Sequence, residues 1–298
     1  MPDRHASVIH SRVDVPAPSR RSRSLSFQLG DVGVVVTGLP SAAVKARLAD
    51  LLAPFVVDAP AATGPSTAPA VRIEVRPWPE GEGWVVTHSG SQDHRRETDT
   101  QGLLSHLEWL VASQAIAASS VRVTFHGAAL TRGDETVLLL ANSGAGKTTL
   151  TLGLMERGWS PLTDDIALVD SDTLTMRAFP RCFHVDQSTE ALLSSRSLCA
   201  QRGRLPGYVS PMQWAAGEQA PTRIFVVQRC VTCPSSRFAI MQAEAAGALL
   251  AQAIESKLTA PQIARVSAGV AAKARGCYQL RNGHLEGALN LIEGVAPR

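Results

Sequence analysis

Cysteine is scarce in this 298-residue chain. Its five copies (Cys182, Cys199, Cys230, Cys233 and Cys277) are an odd and sparse set for the length. Such a set argues against a disulfide framework and agrees with a reducing compartment. Cys230-Val231-Thr232-Cys233 has the spacing of half a zinc site, but no second Cys/His pair lies nearby at ligand spacing. The two therefore read as ordinary cysteines flanking a strand end, not as metal ligands. A thioredoxin-like role fits no better, because the residues before the pair read as a strand. Long apolar runs are missing too: none approaches the roughly 20 residues that span a bilayer. Met1 to Phe27 lacks the apolar centre of a secretory signal, so a cytoplasmic location is expected. Aromatic residues make up only 5 % of the chain. No aromatics are interleaved with the arginines of residues 1–25, so nucleic acid is not an expected partner. The net charge of +3 is too small to exclude any partner class.

What is present is the composition of an ordinary globular protein, 45 % hydrophobic and 18 % charged. Residues 1–25 hold Arg4, Arg12, Arg20, Arg21 and Arg23 among Ser, Pro and His. Such a segment cannot bury enough surface to offset its chain entropy and is expected to be a disordered basic tail. Two short strands are expected at Leu25 to Leu29 and Val32 to Thr37, then a helix over Ala42 to Leu52 capped by Ser41. Val71 to Val75 alternates with period two, and Trp84 to Thr87 is its expected partner. Apolar residues near helical spacing predict a helix from about Thr100 to Ala118. Residues 26–120 thus read as a small α+β unit with no visible chemistry, and 121–298 as the functional core.

The core opens with a strand from Val121 that ends at His126-Gly127. Val137 to Ala141 is a continuous apolar run, as in a fully buried strand. Ala141-Asn142-Ser143-Gly144-Ala145-Gly146-Lys147-Thr148 follows, then a helix expected over Thr148 to Arg157. The pattern G-x-x-x-x-G-K-[ST] between a strand and a helix is the phosphate-binding P-loop. Gly144 and Gly146 let the backbone fold tightly, so that N–H groups from Asn142 to Thr149 can cradle a phosphate at the helix N-terminus. Lys147 is expected to reach the β- and γ-phosphates of ATP, and the Thr148 hydroxyl to ligate Mg²⁺. Ala141 stands where the pattern has its first glycine, which is tolerable if that residue has negative φ. Ile166 to Val169, Arg223 to Gln228 and Arg237 to Met241 are further expected strands, with helices over 243–256 and 260–274.

Two features flank the loop. His126 lies 21 residues before Lys147, and Asp164-Asp165 begins 17 residues after it. A His-Gly pair, this loop, Glu156-Arg157-Gly158 and Thr163-Asp164-Asp165 together resemble the HPr kinase/phosphorylase family over residues 121–170. Outside that stretch the likeness is to smaller relatives such as lasso peptide kinases. The resemblance implies an α/β fold: an HPr kinase/phosphoenolpyruvate carboxykinase-like P-loop fold with a mixed central sheet and a small N-terminal α+β unit. It implies that Asp164 is the general base, that His126 lies beside it and tunes it, and that Asp165 helps hold the metal. The E-x-R-G-x-G segment of true HPr kinases is missing downstream of the aspartates, which argues against HPr as the acceptor.

The expected activity is transfer of the γ-phosphoryl group of ATP, with Mg²⁺, to a hydroxyl of a peptide or protein serine. The alternatives are a small-molecule hydroxyl, or a nucleotide-switched ATPase or binding module with no acceptor. The polar stretch Phe179 to Ala220 reads as a loop that grips substrate or the γ-phosphate, with Arg181 as its best candidate. No membrane partner is expected, and a homo-oligomer is left open.

Overall fold

The computed structural model describes residues 23–29, 32–57, 71–89, 91, 95–119, 121–187, 189, 191, 200–202, 207–254 and 257–294. The expected basic tail before residue 23, and residues 30–31 and 58–70, lie outside the described residues.

A six-stranded sheet comes first. Its strands are β1 (Leu25–Leu29), β2 (Val32–Thr37), β3 (Val56–Val57), β4 (Val71–Pro77), β5 (Trp84–His88) and β6 (Arg95–Glu97), in the order β3-β1-β2-β4-β5-β6. Only β2 and β4 pair in parallel, and helix α1 (Ala42–Leu51) lies on the crossover between them. Strict alternation buries Leu25, Phe27 and Leu29 on β1, Val32, Val34 and Val36 on β2, and Val71, Ile73 and Val75 on β4. Against that face α1 sets Val44, Leu48 and Leu51, and α2 (Thr100–Ala118) sets Leu103, Leu104, Leu107 and Val111. Each such fully buried side chain contributes roughly 1.5–3 kcal/mol. Ser41 caps α1 by accepting from the Val44 N–H at 3.2 Å, as expected, and Asp99 caps α2 through the Gly102 N–H at 2.9 Å.

The second sheet holds ten strands. They are β7 (Arg122–Arg132), β8 (Glu135–Leu140), β9 (Ser160–Thr163), β10 (Ile166–Asp170), β11 (Met176–Arg177), β15 (Glu218–Gln219), β16 (Arg223–Arg229), β17 (Ser236–Ala239), β18 (Ala253–Ile254) and β19 (Gly276–Asn282). The main path runs β15-β11-β10-β7-β8-β16-β19-β17, with β9 and β18 also paired to β7. Its heart, β8-β16-β19, is parallel. A small third sheet is built from β12 (Phe183–His184), β13 (Ala200–Arg202) and β14 (Tyr208–Pro211). Helices α3 (Lys147–Glu156), α4 (Gln242–Ala251), α5 (Ala260–Lys273) and α6 (Leu285–Glu293) complete the chain. No helix among the described residues is long and apolar enough to cross a membrane.

Several expectations are corrected. The strand from residue 121 does not end at His126-Gly127. It runs on to Arg132, pairing with β10 up to His126 and with β8 from Gly127 onward. A Cβ on Gly127 would lie 3.1 Å from the Leu139 carbonyl oxygen, so glycine suits this crowded crossing point. The stretch Phe179 to Ala220 contains β12, β13, β14 and β15 where a loop was expected. Cys230 and Cys233 are not separate thiols but a disulfide, because the turn after β16 brings their Cα atoms to 5.6 Å.

The two sheets share a core. Ile166, Phe179 and Tyr208 pack into the same buried cluster as the first sheet and its helices. The Phe55 and Phe179 rings lie 5.0 Å apart. At the other side, Leu289 of α6 presses on Gly153 of α3, where any Cβ would meet it at 2.8 Å. Glu293 ties the end of α6 to Arg132 at 2.5 Å, Arg157 at 2.7 Å and Trp159 Nε1 at 3.2 Å.

Candidate active site

The buried apolar strand β8 delivers the chain to the loop at the C-terminal edge of the parallel strands, where open α/β sheets hold their ligands. Gly144 has φ 78° and Gly146 φ 90°, backbone that side-chain-bearing residues rarely adopt. Among the described residues only Asp165 and Leu174 are non-glycines with positive φ, so Ala141 has the negative φ that makes it acceptable. Gly146 is the N-cap of α3 and supplies no side-chain bond to the first turn. The N–H groups there, and the positive end of the helix, are thus left for an anion.

Asp164 and Asp165 occupy the turn between β9 and β10. Asp165 is left-handed at φ 66°, a strained state of the kind found at functional sites. The turn sends the two carboxylates to different neighbours. Asp164 is 4 % exposed; its Oδ2 accepts from Thr148 Oγ1 at 2.9 Å and its Oδ1 lies 3.5 Å from Thr151 Oγ1. Asp165, 40 % exposed at its side chain, accepts from the Lys147 ammonium at 2.7 Å. His126 Nε2 stands 3.0 Å from Lys147 Nζ and 3.5 Å from Asp165. The expected neighbourhood of His126 is therefore corrected: it adjoins Asp165, not Asp164, because the left-handed turn points the second carboxylate toward β7.

Hydrogen bonding orients the imidazole. Gln252 Nε2 donates to Asn142 Oδ1 at 2.9 Å, which leaves Gln252 Oε1 to accept from His126 Nδ1 at 3.3 Å. With Nδ1 protonated, the Nε2 lone pair faces Lys147; this tautomer is assigned from the network. Electrostatics separate the aspartates further. Burial, reinforced by the charge of Asp165, pushes the Asp164 carboxyl up to about 7. Burial opposes the charge of Asp165 as well, but its contacts with His126 and with the Lys147 ammonium outweigh it and hold that carboxyl well below the usual range.

These groups border a cleft of about 470 Å³. His126, Asp165 and the loop from Asn142 to Thr149 line it, as expected from the sequence, and Asp164 lies behind Thr148. Arg181 does not line it. Its guanidinium is held by both carboxylate oxygens of Glu108 on α2, whose side chain is 1 % exposed. This largely buried pair ties α2 to the segment before β12, outside the cleft where a role in gripping substrate was expected for Arg181. The lining residues that sequence reasoning missed are His184, Asp186, Thr189, Arg229, Asn282, Gly283 and Leu285, together with Gln252 behind His126. Thr189 is held at the loop by a 3.0 Å bond between its hydroxyl and that of Thr149. His184, Asp186 and Thr189 belong to the stretch expected to grip substrate, and Arg229 and Asn282 are brought to the cleft by the parallel pairing of β16 with β8 and β19.

The donor set around Thr148 fits Mg²⁺ arriving with a nucleotide. One hydroxyl and one carboxylate suffice when phosphates and water complete the octahedron. Comparison with known proteins finds no matching family model and no matching curated sequence.

Proposed function

We propose that this chain is an ATP-dependent kinase that transfers the γ-phosphoryl group to a hydroxyl, with a serine of a peptide or protein as acceptor. The observation that carries the reading is the pairing of Lys147 with Asp165 and of Thr148 with Asp164, at the first two positions of an uncapped helix behind a glycine loop. The resemblance to HPr kinase-like P-loop enzymes over residues 121–170 agrees with it.

Within this reading we interchange the two aspartate roles. Thr148 and Asp164 would hold Mg²⁺, which would supply positive charge at the phosphates. A buried carboxylate whose proton is hard to remove is stabilised by such a cation. Asp165 is the base, since its carboxylate faces the cleft where an acceptor enters. Lys147 leaves Asp165 for the phosphates when nucleotide binds, which raises the basicity of that carboxylate. The acceptor oxygen attacks the γ-phosphorus, its proton passes to Asp165, and the bond from phosphorus to the bridging oxygen breaks to release ADP. His126, held by Gln252, remains beside the protonated carboxyl and orients it. The acceptor enters along His184, Asp186 and Thr189.

Incubation with γ-labelled ATP, Mg²⁺ and a library of serine-containing peptides tests this. Label is expected in a peptide, and Asp165→Asn should lower its transfer by about 10²–10⁴-fold. ADP formed by hydrolysis alone, with no labelled acceptor, would favour a nucleotide-switched ATPase.

A further inference from the structure

Two cations line the cleft, Lys147 and Arg229. Lys147 is already balanced by Asp165. Arg229 has no carboxylate partner among the described residues; its guanidinium donates to the Gly144 carbonyl oxygen at 3.4 Å. Other arginines are committed elsewhere: Arg157 to Glu286 and Glu293, Arg177 to Glu218, Arg181 to Glu108 and Arg223 to Glu135.

Topology explains how Arg229 comes to the loop. It is the last residue of β16, which runs parallel to β8, so both strands end at the same edge of the sheet. Its register partner on β19 is Asn282, the last residue of that strand. Asn282 donates from Nδ2 to the Ala145 carbonyl at 3.3 Å and leaves no room for a Cβ on Gly146, which it would meet at 2.8 Å. Two adjacent strand ends thus brace consecutive loop residues, and one of them brings a formal charge into the cleft. A charge held at an anion-binding loop by a single long bond to a neutral carbonyl has a stronger acceptor available once a phosphate is present.

We propose that Arg229 is a second phosphate-binding cation of this site, contacting the phosphate chain of the bound nucleotide from the β16 side while Lys147 contacts it from the β7 side. This rests on the phosphate-loop reading above. The contact is to phosphate and not to the nucleoside, so inorganic triphosphate senses it as fully as ATP does.

The test is calorimetric titration of the full chain with ATP and with inorganic triphosphate, each with Mg²⁺. Arg229→Gln is expected to weaken both ligands by the same factor, at least about tenfold, as for one lost charge-assisted bond. Arg229→Lys is expected to recover a good part of the loss, and the ligand-free unfolding midpoint is expected to match wild type in both variants. If Arg229→Gln binds both ligands as wild type does, the proposal fails while the phosphate-loop reading stands. It fails too if ATP weakens and triphosphate does not, or if both variants lose equal affinity together with ligand-free stability, the mark of a brace. Wild type that binds neither ligand would overturn the phosphate-loop reading and this inference with it.

Discussion

The first sheet and the cleft at the edge of the second sheet follow opposite rules. In the first sheet the side chains do what their positions along strand or helix demand: apolar residues alternate inward on β1, β2 and β4, and Ser41 and Asp99 cap the helices. At the cleft the rules are broken together. A non-glycine residue is left-handed at Asp165, the N-cap of α3 has no capping side chain, and a carboxylate is buried beside a second one. A fold carries such local conflicts where something other than stability is served.

The comparison can be broken most severely at the tie between the two regions. Glu108→Ala would leave the Arg181 guanidinium buried and unpaired, and should cost about 3–5 kcal/mol in denaturant unfolding. Removing a charge from the cleft should act in the opposite direction. In the ligand-free protein the Asp164 carboxyl holds its proton up to about pH 7, well above its unfolded value. Its contribution therefore declines as pH rises through that window, and the full cost is present above it. Asp164→Asn should accordingly stabilise the Mg²⁺-free protein by roughly 2–4 kcal/mol at pH 8 and by almost nothing at pH 4, read from unfolding midpoints. The smallest effect belongs to the rule-abiding region: Ser41→Ala should cost about 1 kcal/mol and leave nucleotide affinity untouched.

Much of the first region is legible in sequence, because its signals are local. Short strand-like runs mark β1 and β2, period-two alternation marks β4, helical spacing marks α2 at the bounds observed, and one serine marks the start of α1. The glycine loop is legible for the same reason, since its glycines, Lys147 and Thr148 lie within a few residues of one another. The rest depends on contacts between distant residues. Strand β9 contains Pro161 and carries little strand signal, and β19 becomes a strand by parallel pairing with β16. Adjacent aspartates look alike on paper, and only the left-handed φ of Asp165 decides which one meets Lys147 and His126. Arg181 reads as a cation in a polar stretch, and its partner lies 73 residues away.

The central claim is that two neighbouring carboxylates do different work. ATP affinity measured with and without Mg²⁺ in Asp164→Asn and Asp165→Asn tests it most directly. Asp164→Asn should lose the tightening that Mg²⁺ confers by about 10–100-fold. Asp165→Asn should keep that tightening within about threefold of wild type, a difference of less than 1 kcal/mol. Loss of the Mg²⁺ effect in Asp165→Asn, with the effect intact in Asp164→Asn, would contradict the account.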